Sequence, residues 1–258
     1  MFTPVKNWLL SLSLAMACIV TSAGCDLQSP SGQDEPKERR VLVFWDVSTS
    51  ITPPERARWK AHLRERTDAF GSQLWEQEAF DEVTILPVHR YTLTSIPLVQ
   101  QRFTGGVYTH HEIKQQKQRA AFAAQLNALD TLQLKREVLK GTDLLASIHR
   151  INEYMAGDTA RVREVVYFSD MLNATPELNF ESLPSPFVAA SPEAMAREVI
   201  EKKGWPAGML SGVIVAVYLP GTFEGALVHD EARIVAVASF WGTLFEELGA
   251  DVKHWRRT

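Results

Sequence analysis

Short apolar runs alternate with amphipathic segments from residue 41 onward. Continuous apolar runs such as VLVFW are typical of strands that are covered on both faces of a sheet. Segments whose apolar residues recur every three to four positions are typical of helices packed against such a sheet. Strands are predicted at 41–45, 82–88, 95–103, 164–170, 212–221 and 251–255, and helices at 52–75, 111–134, 142–155, 191–204 and 230–248.

The order of these segments predicts the fold class. Strands that alternate with helices favour an α/β domain with a mostly parallel central sheet of about six strands and helices on both faces. Thr52 and Glu55 form a capping-box pattern at the start of the first helix. Pro97 has no backbone N–H to donate, so the strand that contains it is expected at an edge of the sheet.

The first residues have the pattern of a secretory signal, which we assign to residues 1–24. Lys6 precedes the apolar run WLLSLSLAMACIV, and small residues lead to Cys25. The ending resembles the cleavage site of bacterial lipoproteins, which implies a lipid anchor on Cys25. Cys18, inside the signal, is the other cysteine, so the folded part has none for a disulfide. Asp26 directly after the anchor implies, by the same resemblance, retention at the inner membrane.

A polar segment separates this signal from the apolar pattern. The run DLQSPSGQDEPKER is rich in Pro, Gly, Ser and charged residues and cannot bury enough surface to fold alone. We therefore divide the remainder into a tether, 25–39, and a domain, 40–258. No later segment has the length and apolarity of a transmembrane helix. The domain is expected on the periplasmic side of the cell envelope, attached through its lipid.

Composition and charge exclude several classes of function. The hydrophobic fraction of 45% is that of a globular protein. The 27 basic and 31 acidic residues give a net charge of −4, without the excess of cations that binding to a phosphate backbone requires. Neither a P-loop nor a G-x-G-x-x-G run occurs, so nucleotide binding is not expected either.

Oxygen-bearing side chains follow two of the predicted strands and precede one helix. Asp46, Ser48 and Ser50 follow the first strand, Thr142 stands at the start of a helix, and Asp170 ends a later strand. Taken alone, short polar residues after a strand are common because they begin turns and helices. In parallel sheets, however, the carboxyl ends of the strands border the binding crevice.

Together these five positions resemble the metal-ion-dependent adhesion site (MIDAS) of the von Willebrand factor A-like (VWA) family. The family pattern is D-x-S-x-S after the first strand, a threonine in a later loop before a helix, and an aspartate at the end of the fourth strand. The element order is similar over nearly all of residues 40–257. The resemblance implies a Rossmann-like VWA fold with a metal site at Asp46, Ser48, Ser50, Thr142 and Asp170.

The resemblance also implies a function and a cofactor. The ion would be Mg²⁺, with Mn²⁺ as a substitute, and oxygen ligands are those that Mg²⁺ requires. The two serines and the threonine would contact the ion, and the aspartates would often act through bound water. An Asp or Glu side chain of a partner protein would fill the open position. The expected activity is therefore binding, not catalysis.

Two features depart from the family pattern. Met171 stands where the family often has a glycine, and its side chain is expected to narrow or gate the site. The separation between Ser50 and Thr142 is also long, which predicts a helical insertion around residues 104–139. That insertion is either a helix that protrudes beside the metal or a solvated amphipathic helix.

Two other functions remain open from the sequence. A phosphohydrolase of the haloacid-dehalogenase type also has an aspartate after its first strand and binds Mg²⁺. Such enzymes use a second carboxylate two residues later, where this chain has Ser48, and a late acidic pair, of which only Asp170 is present. The remaining alternative is a VWA scaffold without a functional metal, in which the polar residues stiffen the loops.

Overall fold

The computed structural model describes residues 38–72, 80–105, 111–129, 141–158, 160, 162–180, 182–183, 191–221 and 230–257. The predicted signal, Cys25 and nearly all of the tether lie outside these residues. The described part confirms the predicted α/β class. Its strands are β1 (Arg39–Asp46), β2 (Phe80–Val88), β3 (Val99–Thr104), β4 (Val162–Phe168), β5 (Val213–Leu219) and β6 (Asp251–Arg257). Its α-helices are α1 (Pro53–Thr67), α2 (His111–Ala128), α3 (Leu145–Met155), α4 (Pro192–Lys203) and α5 (Glu231–Glu247).

The six strands form one sheet in the order β3-β2-β1-β4-β5-β6. All neighbouring pairs are parallel except β2 and β3, which are antiparallel. In β1, Trp45 lies between Pro87 of β2 and Phe168 of β4. Along the sequence, β2 and β3 follow β1 on one side of it, and β4, β5 and β6 then follow on its other side. The carboxyl ends of β1 and β4 therefore meet at the point where ligands bind in open α/β sheets.

Each face of the sheet carries its own hydrophobic core. On one face Trp59 and Leu63 of α1 and Phe122 of α2 are buried against the strands. On the other face, buried residues of α3, α4 and α5 form a larger core, which includes Phe240 and Trp241. Because both faces are covered, the central strands contain almost uninterrupted apolar residues, as the sequence pattern indicates.

Three aromatic side chains fasten α1 to the two central strands. The Trp59 ring centroid lies 5.7 Å from that of Trp45 and 5.6 Å from that of Phe168, and the Trp45 and Phe168 centroids are 5.5 Å apart. Trp59 has no exposed surface. Such aromatic pairs contribute about 0.5–1.5 kcal/mol each beyond the area that they bury. The beginning of α1 is therefore held close to the ends of β1 and β4.

The first helix begins where the sequence predicts and ends earlier. The Thr52 hydroxyl accepts a hydrogen bond from the Glu55 backbone N–H, and proline occupies the first helical position. The helix ends at Thr67, not near residue 75. The next residues form turns, and Gly71, at a φ of +73°, donates its N–H to the buried Asp81 carboxylate at 2.8 Å. This contact with β2 draws the chain away from the helical path.

The third strand lies at an edge, as predicted, but it is shorter than expected and does not include Pro97. It begins at Val99 because the residues before it form a 3-10 turn, Thr92–Thr94, and an extended connection. Arg150 of α3 donates a hydrogen bond at 3.0 Å to the backbone oxygen of Ser95. That contact holds the connection on the helix and keeps it out of the sheet.

The helix α2 is the described part of the predicted insertion, and it does not lie beside Asp46. Gln118 donates a hydrogen bond to Thr104, which pairs with Phe80 at the start of β2. That end of the sheet is opposite the end where Asp46 lies. Phe122 is buried, whereas Ile113 is 53% exposed. The amphipathic-helix alternative therefore describes α2, and residues 130–140 lie outside the described part.

No helix among the described residues is long and apolar enough to cross a membrane.

Candidate metal site

Two aspartates occupy the carboxyl ends of neighbouring strands. Asp46 is the last residue of β1, and Asp170 lies two residues beyond the end of β4. Their strands pair in register up to Trp45 and Phe168. The sheet thus brings together the ends of two strands whose aspartates are more than a hundred positions apart in the sequence.

Two serine hydroxyls connect to one of these carboxylates. The Oγ atoms of Ser48 and Ser50 share a hydrogen bond of 2.8 Å. Ser50 Oγ donates to Asp170 Oδ2 at 2.9 Å, and the backbone N–H of Leu172 donates to Asp170 Oδ1 at 3.0 Å. Ser48, Ser50 and Asp170 therefore form a continuous row of hydrogen-bonded oxygen atoms that links the loop between β1 and α1 to the loop after β4.

The Asp46 carboxylate is buried next to these hydrogen-bonded oxygen atoms. Its side chain has no exposed surface, and it accepts hydrogen bonds from the Ser48 backbone N–H at 2.8 Å and from Ser169 Oγ at 2.7 Å. Burial raises the pKa of the Asp46 carboxyl, and the hydrogen bonds from Ser169 and Ser48 oppose that rise. Arg56 lies close by and donates to the backbone oxygen of Ser48 at 2.9 Å. Asp46 thus orients the loop that carries Ser48.

Thr142 lies in a neighbouring loop. Its backbone oxygen accepts a hydrogen bond of 2.7 Å from the N–H of Ala174, in the loop after β4. Its side chain is buried, and its hydroxyl makes no hydrogen bond with any residue that the structure describes. The structure therefore places Thr142 beside the loop that follows Asp170, without a hydrogen bond to the other four predicted ligands.

The helix after Thr142 begins later than predicted and is capped from outside. Asn173 Oδ1 accepts from the backbone N–H groups of Leu144 and Leu145, at 2.9 and 3.2 Å. Asp143 Oδ1 accepts from Ala146 N at 3.0 Å. These contacts satisfy N–H groups that a helix leaves free at its start. They also tie the Thr142 loop to the loop after β4.

Met171 does not gate the site. Its side chain has no exposed surface and lies in the core formed with α5. Its φ is +61°, a left-handed conformation that glycine adopts without strain, which explains a preference for glycine at this position. Trp241 of α5 donates its indole N–H to the Met171 backbone oxygen at 2.9 Å. The expectation of a narrowed site was therefore wrong, because the backbone turns this side chain inward.

The motif did not reveal Ser169 or Asn173. Ser169 binds Asp46, and its Oγ also accepts from the N–H of Met171 at 3.0 Å. Asn173 caps α3 and donates its amide to the Leu178 backbone oxygen at 2.6 Å. The one feature of the sequence that could have pointed to Ser169 and Asn173 is their position, because both lie within three residues of Asp170.

The donor set fits a small hard cation. The five predicted ligands supply hydroxyl and carboxylate oxygens only, which suits Mg²⁺ or Mn²⁺ better than a soft metal. Among the described residues, no group of three or more His, Cys, Asp and Glu side chains is arranged for a metal. A site built from three hydroxyls and two carboxylates would not form such a group. The hydroxyl of Thr142, which forms no hydrogen bond with a described residue, leaves one oxygen available to a ligand.

Comparison with solved structures gave matches, whereas the two sequence comparisons gave none. No protein-family model matches it, and no curated protein matches it in sequence. The conserved hypothetical protein BatB from Bacteroides thetaiotaomicron aligns with a TM-score of 0.44 and 12% identity, over 85% of this chain and 91% of that chain.

Two further matches are proteins solved with a metal. PTMP1 from the mussel byssus, in a structure with a zinc-occupied MIDAS motif, aligns with a TM-score of 0.42 and 12% identity, over 85% of this chain and 42% of that chain. The manganese-loaded TRAP protein of Plasmodium vivax aligns with a TM-score of 0.38 and 12% identity, over 78% and 62%. The chain thus spans less than half of PTMP1.

Proposed function

We propose that this chain is a VWA-type binding module that attaches to a partner protein through Mg²⁺ and is not an enzyme. The observation that carries the proposal is the chain of oxygen atoms that runs from Ser48 through Ser50 to Asp170, beside the buried Asp46. Thr142, with its free hydroxyl in the adjoining loop, completes the donor set. When bound, Mg²⁺ would supply an open coordination position for a carboxylate oxygen of the partner.

The residues of this site have distinct roles in the proposal. Ser48, Ser50 and Thr142 would hold the ion through neutral oxygens, so the ion keeps most of its positive charge. Asp170 would orient the Ser50 hydroxyl as its hydrogen-bond acceptor, and Asp46 would hold the backbone of the loop that carries Ser48. A carboxylate on the partner is then favoured over neutral groups, because it neutralises charge that the protein leaves uncompensated.

Calorimetric titration with Mg²⁺ and Mn²⁺ tests the metal site. The unmutated protein should bind one ion, and Asp46→Ala and Thr142→Ala should each weaken binding at least about tenfold, which is about 1.4 kcal/mol. Ser191→Ala is a matched control, because this serine caps α4, away from the site. Unchanged binding in both site variants would exclude these residues as the metal site.

A phosphatase assay tests the enzymatic alternative. Asp46 is fully buried and both its carboxylate oxygens accept hydrogen bonds, an arrangement unsuited to attack on a phosphate ester. We expect no turnover of p-nitrophenyl phosphate with Mg²⁺. Turnover that requires Mg²⁺ and disappears in Asp46→Ala would show that the protein is a haloacid-dehalogenase-type enzyme and not a binding module.

The proposal includes attachment to the periplasmic side of the envelope through a lipid on Cys25. The support is the sequence pattern of residues 1–24 and Asp26. In cells, Cys25→Ser should release the protein from the membrane fraction and remove the lipid mass from its N-terminal peptide. Cys18→Ser changes the other cysteine of the same segment and should leave both unchanged. Membrane retention of Cys25→Ser without lipid would contradict the anchor.

A further inference from the structure

A cleft of about 770 Å³ opens beside the candidate metal site. Its volume lies within the range of about 300–1,000 Å³ that is usual for ligand sites. One wall is the loop after β2, the floor is the first turn of α3, and the opposite wall combines the loop after β4 with the end of α4. The residues that the argument uses are Arg90, Tyr91, Leu93, Leu145, Pro176 and Trp205.

The cleft lies next to Thr142 of the candidate metal site. Asp143, which lines it, directly follows Thr142, and Ala174, also in its lining, donates its N–H to the Thr142 backbone oxygen at 2.7 Å. A polypeptide that reaches Thr142 with one side chain can therefore place a neighbouring side chain in the cleft.

Exposed apolar side chains stand on the wall formed by the loop after β2. Tyr91 and Leu93 are each 50% exposed. The loop that presents them is held by hydrogen bonds: His89 Nδ1 accepts from Tyr91 N at 2.9 Å, and Thr92 Oγ1 donates to the His89 backbone oxygen at 2.7 Å. Arg150 fixes its far end through the Ser95 backbone oxygen. Tyr91 and Leu93 are thus exposed on a loop whose backbone is fixed by hydrogen bonds. This order lowers the entropy cost of binding a ligand there.

One cation of the cleft is uncompensated. Lys203 pairs with Glu177, and the Asp143 carboxylate accepts a hydrogen bond from the Ala146 backbone N–H at the start of α3. Arg90, in contrast, forms no ion pair with any described residue, and its guanidinium lies 5.8 Å from the centre of the Tyr91 ring. Arg90 is therefore available to pair with a carboxylate of a ligand.

We propose that the cleft binds an extended segment of the partner protein that carries an apolar side chain and a second carboxylate. The apolar side chain lies between Leu93 and Trp205, and the carboxylate pairs with Arg90. This inference rests on the proposed function, because the first carboxylate of the same segment occupies the metal. Partner choice then depends on three groups of the segment and not on one acid alone.

Selection of peptides tests the occupant of the cleft. A phage library of random 12-residue peptides is selected on the full-length protein in Mg²⁺. The enriched peptides should share two acids and one aliphatic or aromatic residue at constant spacing. Synthetic copies should bind Leu93→Asp and Arg90→Glu at least about tenfold more weakly than the unmutated protein.

Ile96→Asp is the matched control. This residue belongs to the same loop and is 79% exposed, but it does not line the cleft. It should keep full affinity, and melting temperatures should show that all three variants are folded. Enriched peptides without an apolar residue, no enrichment at all, or equal affinity for Leu93→Asp and the unmutated protein would each overturn the proposal.

The same peptides separate this proposal from the metal bridge. Binding that is lost in EDTA and in Ser50→Ala, but unchanged in Leu93→Asp, supports the metal bridge and overturns the cleft. Binding that survives EDTA and is lost in Leu93→Asp supports the cleft as a docking site and contradicts the metal bridge.

Discussion

At the scale of single residues, Asp46 combines a cost in stability with a role at the site. Its carboxylate is completely buried, and burial raises its pKa. Its hydrogen bonds with Ser48 and Ser169 offset only part of the cost of burying a charge. Asp46 therefore lowers the stability of the metal-free fold, and at the same time it provides a fixed hydrogen-bond acceptor at the end of β1.

Asp46→Asn should stabilise the metal-free protein and remove its metal binding. The amide keeps the shape and an acceptor for the Ser48 N–H but carries no charge, so we expect a gain on the order of 1 kcal/mol at neutral pH. The measurement is urea unfolding in EDTA. Asp170→Asn, whose parent carboxylate is slightly exposed, should give a smaller gain. A loss of stability in Asp46→Asn would show that the hydrogen bonds outweigh the charge.

His89 should make the loop after β2 sensitive to acid. Burial lowers the pKa of its imidazole, and Nδ1 accepts from Tyr91 N, so the folded state favours the neutral ring. The unfolded chain binds the proton at a higher pH than the folded chain. The stabilisation is therefore complete above about pH 6.5 and is lost as the pH falls below that value.

The sensitivity can be measured as thermal unfolding at pH 7.5 and 5.5. Between these conditions the unmutated protein should lose about 0.5–1.5 kcal/mol more than His89→Asn, the value of one hydrogen bond. Asparagine offers an acceptor to the Tyr91 N–H and does not titrate in this range. Equal losses in the two proteins would mean that His89 does not contribute.

The role of a residue at the site could be predicted from the sequence only where the residues that act with it lie nearby in the chain. Asp46, Ser48 and Ser50 stand within five positions of one another, and the sequence alone points to them as one group. Ser169 and Asn173 could not be predicted as contacts, because Ser169 binds a residue 123 positions away and Asn173 caps a helix that begins 28 positions earlier. Such roles exist only once β1, β4 and α3 are packed.

At the scale of elements, the loop before α3 is positioned by a glycine. Gly141 has a φ of +96°, and a Cβ added there would lie 2.9 Å from the backbone oxygen of Ala174. That oxygen belongs to the residue whose N–H binds Thr142. Close approach of the two loops therefore requires the absence of a side chain at Gly141.

Gly141→Ala should displace Thr142 without removing a donor atom. We expect weaker Mg²⁺ binding in calorimetry, together with a loss of stability of more than about 1 kcal/mol from strain and contact. Gly157→Ala is the matched control, because Gly157 has a φ of +73° and its added Cβ would meet no atom within 4 Å. It should lose about 1 kcal/mol and keep its metal affinity. Equal metal affinity in the two variants would show that Thr142 does not contribute to the metal site.

Helix starts were more predictable than helix ends. Thr52 and Ser191 cap α1 and α4 as expected, because a cap is a contact between residues three positions apart. The early end of α1 depends instead on Asp81 in β2, which binds the N–H of Gly71. No signal within α1 itself contains that information.

At the scale of the whole molecule, the site depends on a sheet whose two faces are both covered. The alternation of strands and helices predicted the sheet and its parallel character. The order of the strands follows from which apolar faces meet in space, and the sequence pattern does not specify it. The site lies where β1 and β4 meet, so its geometry is sensitive to packing on either face.

Trp59→Ala should test the core that holds α1 on the central strands. Trp59 is fully buried against Trp45 and Phe168, so we expect a loss of about 3–5 kcal/mol in urea unfolding. Trp255→Ala, on the half-buried edge strand β6, makes the same substitution and should cost less. A loss below about 1 kcal/mol in Trp59→Ala would mean that α1 is held mainly by other contacts.

The long separation between β1 and β4 has a consequence for biosynthesis. Ser50 and Asp170 are hydrogen-bonded although they are 120 positions apart in the sequence. At roughly 5–20 residues per second, a ribosome needs on the order of 10 s to make that interval. During this time the apolar strand β1 has no β4 to pair with, and an open strand edge is a template for association with other chains. The newly made polypeptide therefore needs protection from aggregation until β4 has been synthesised.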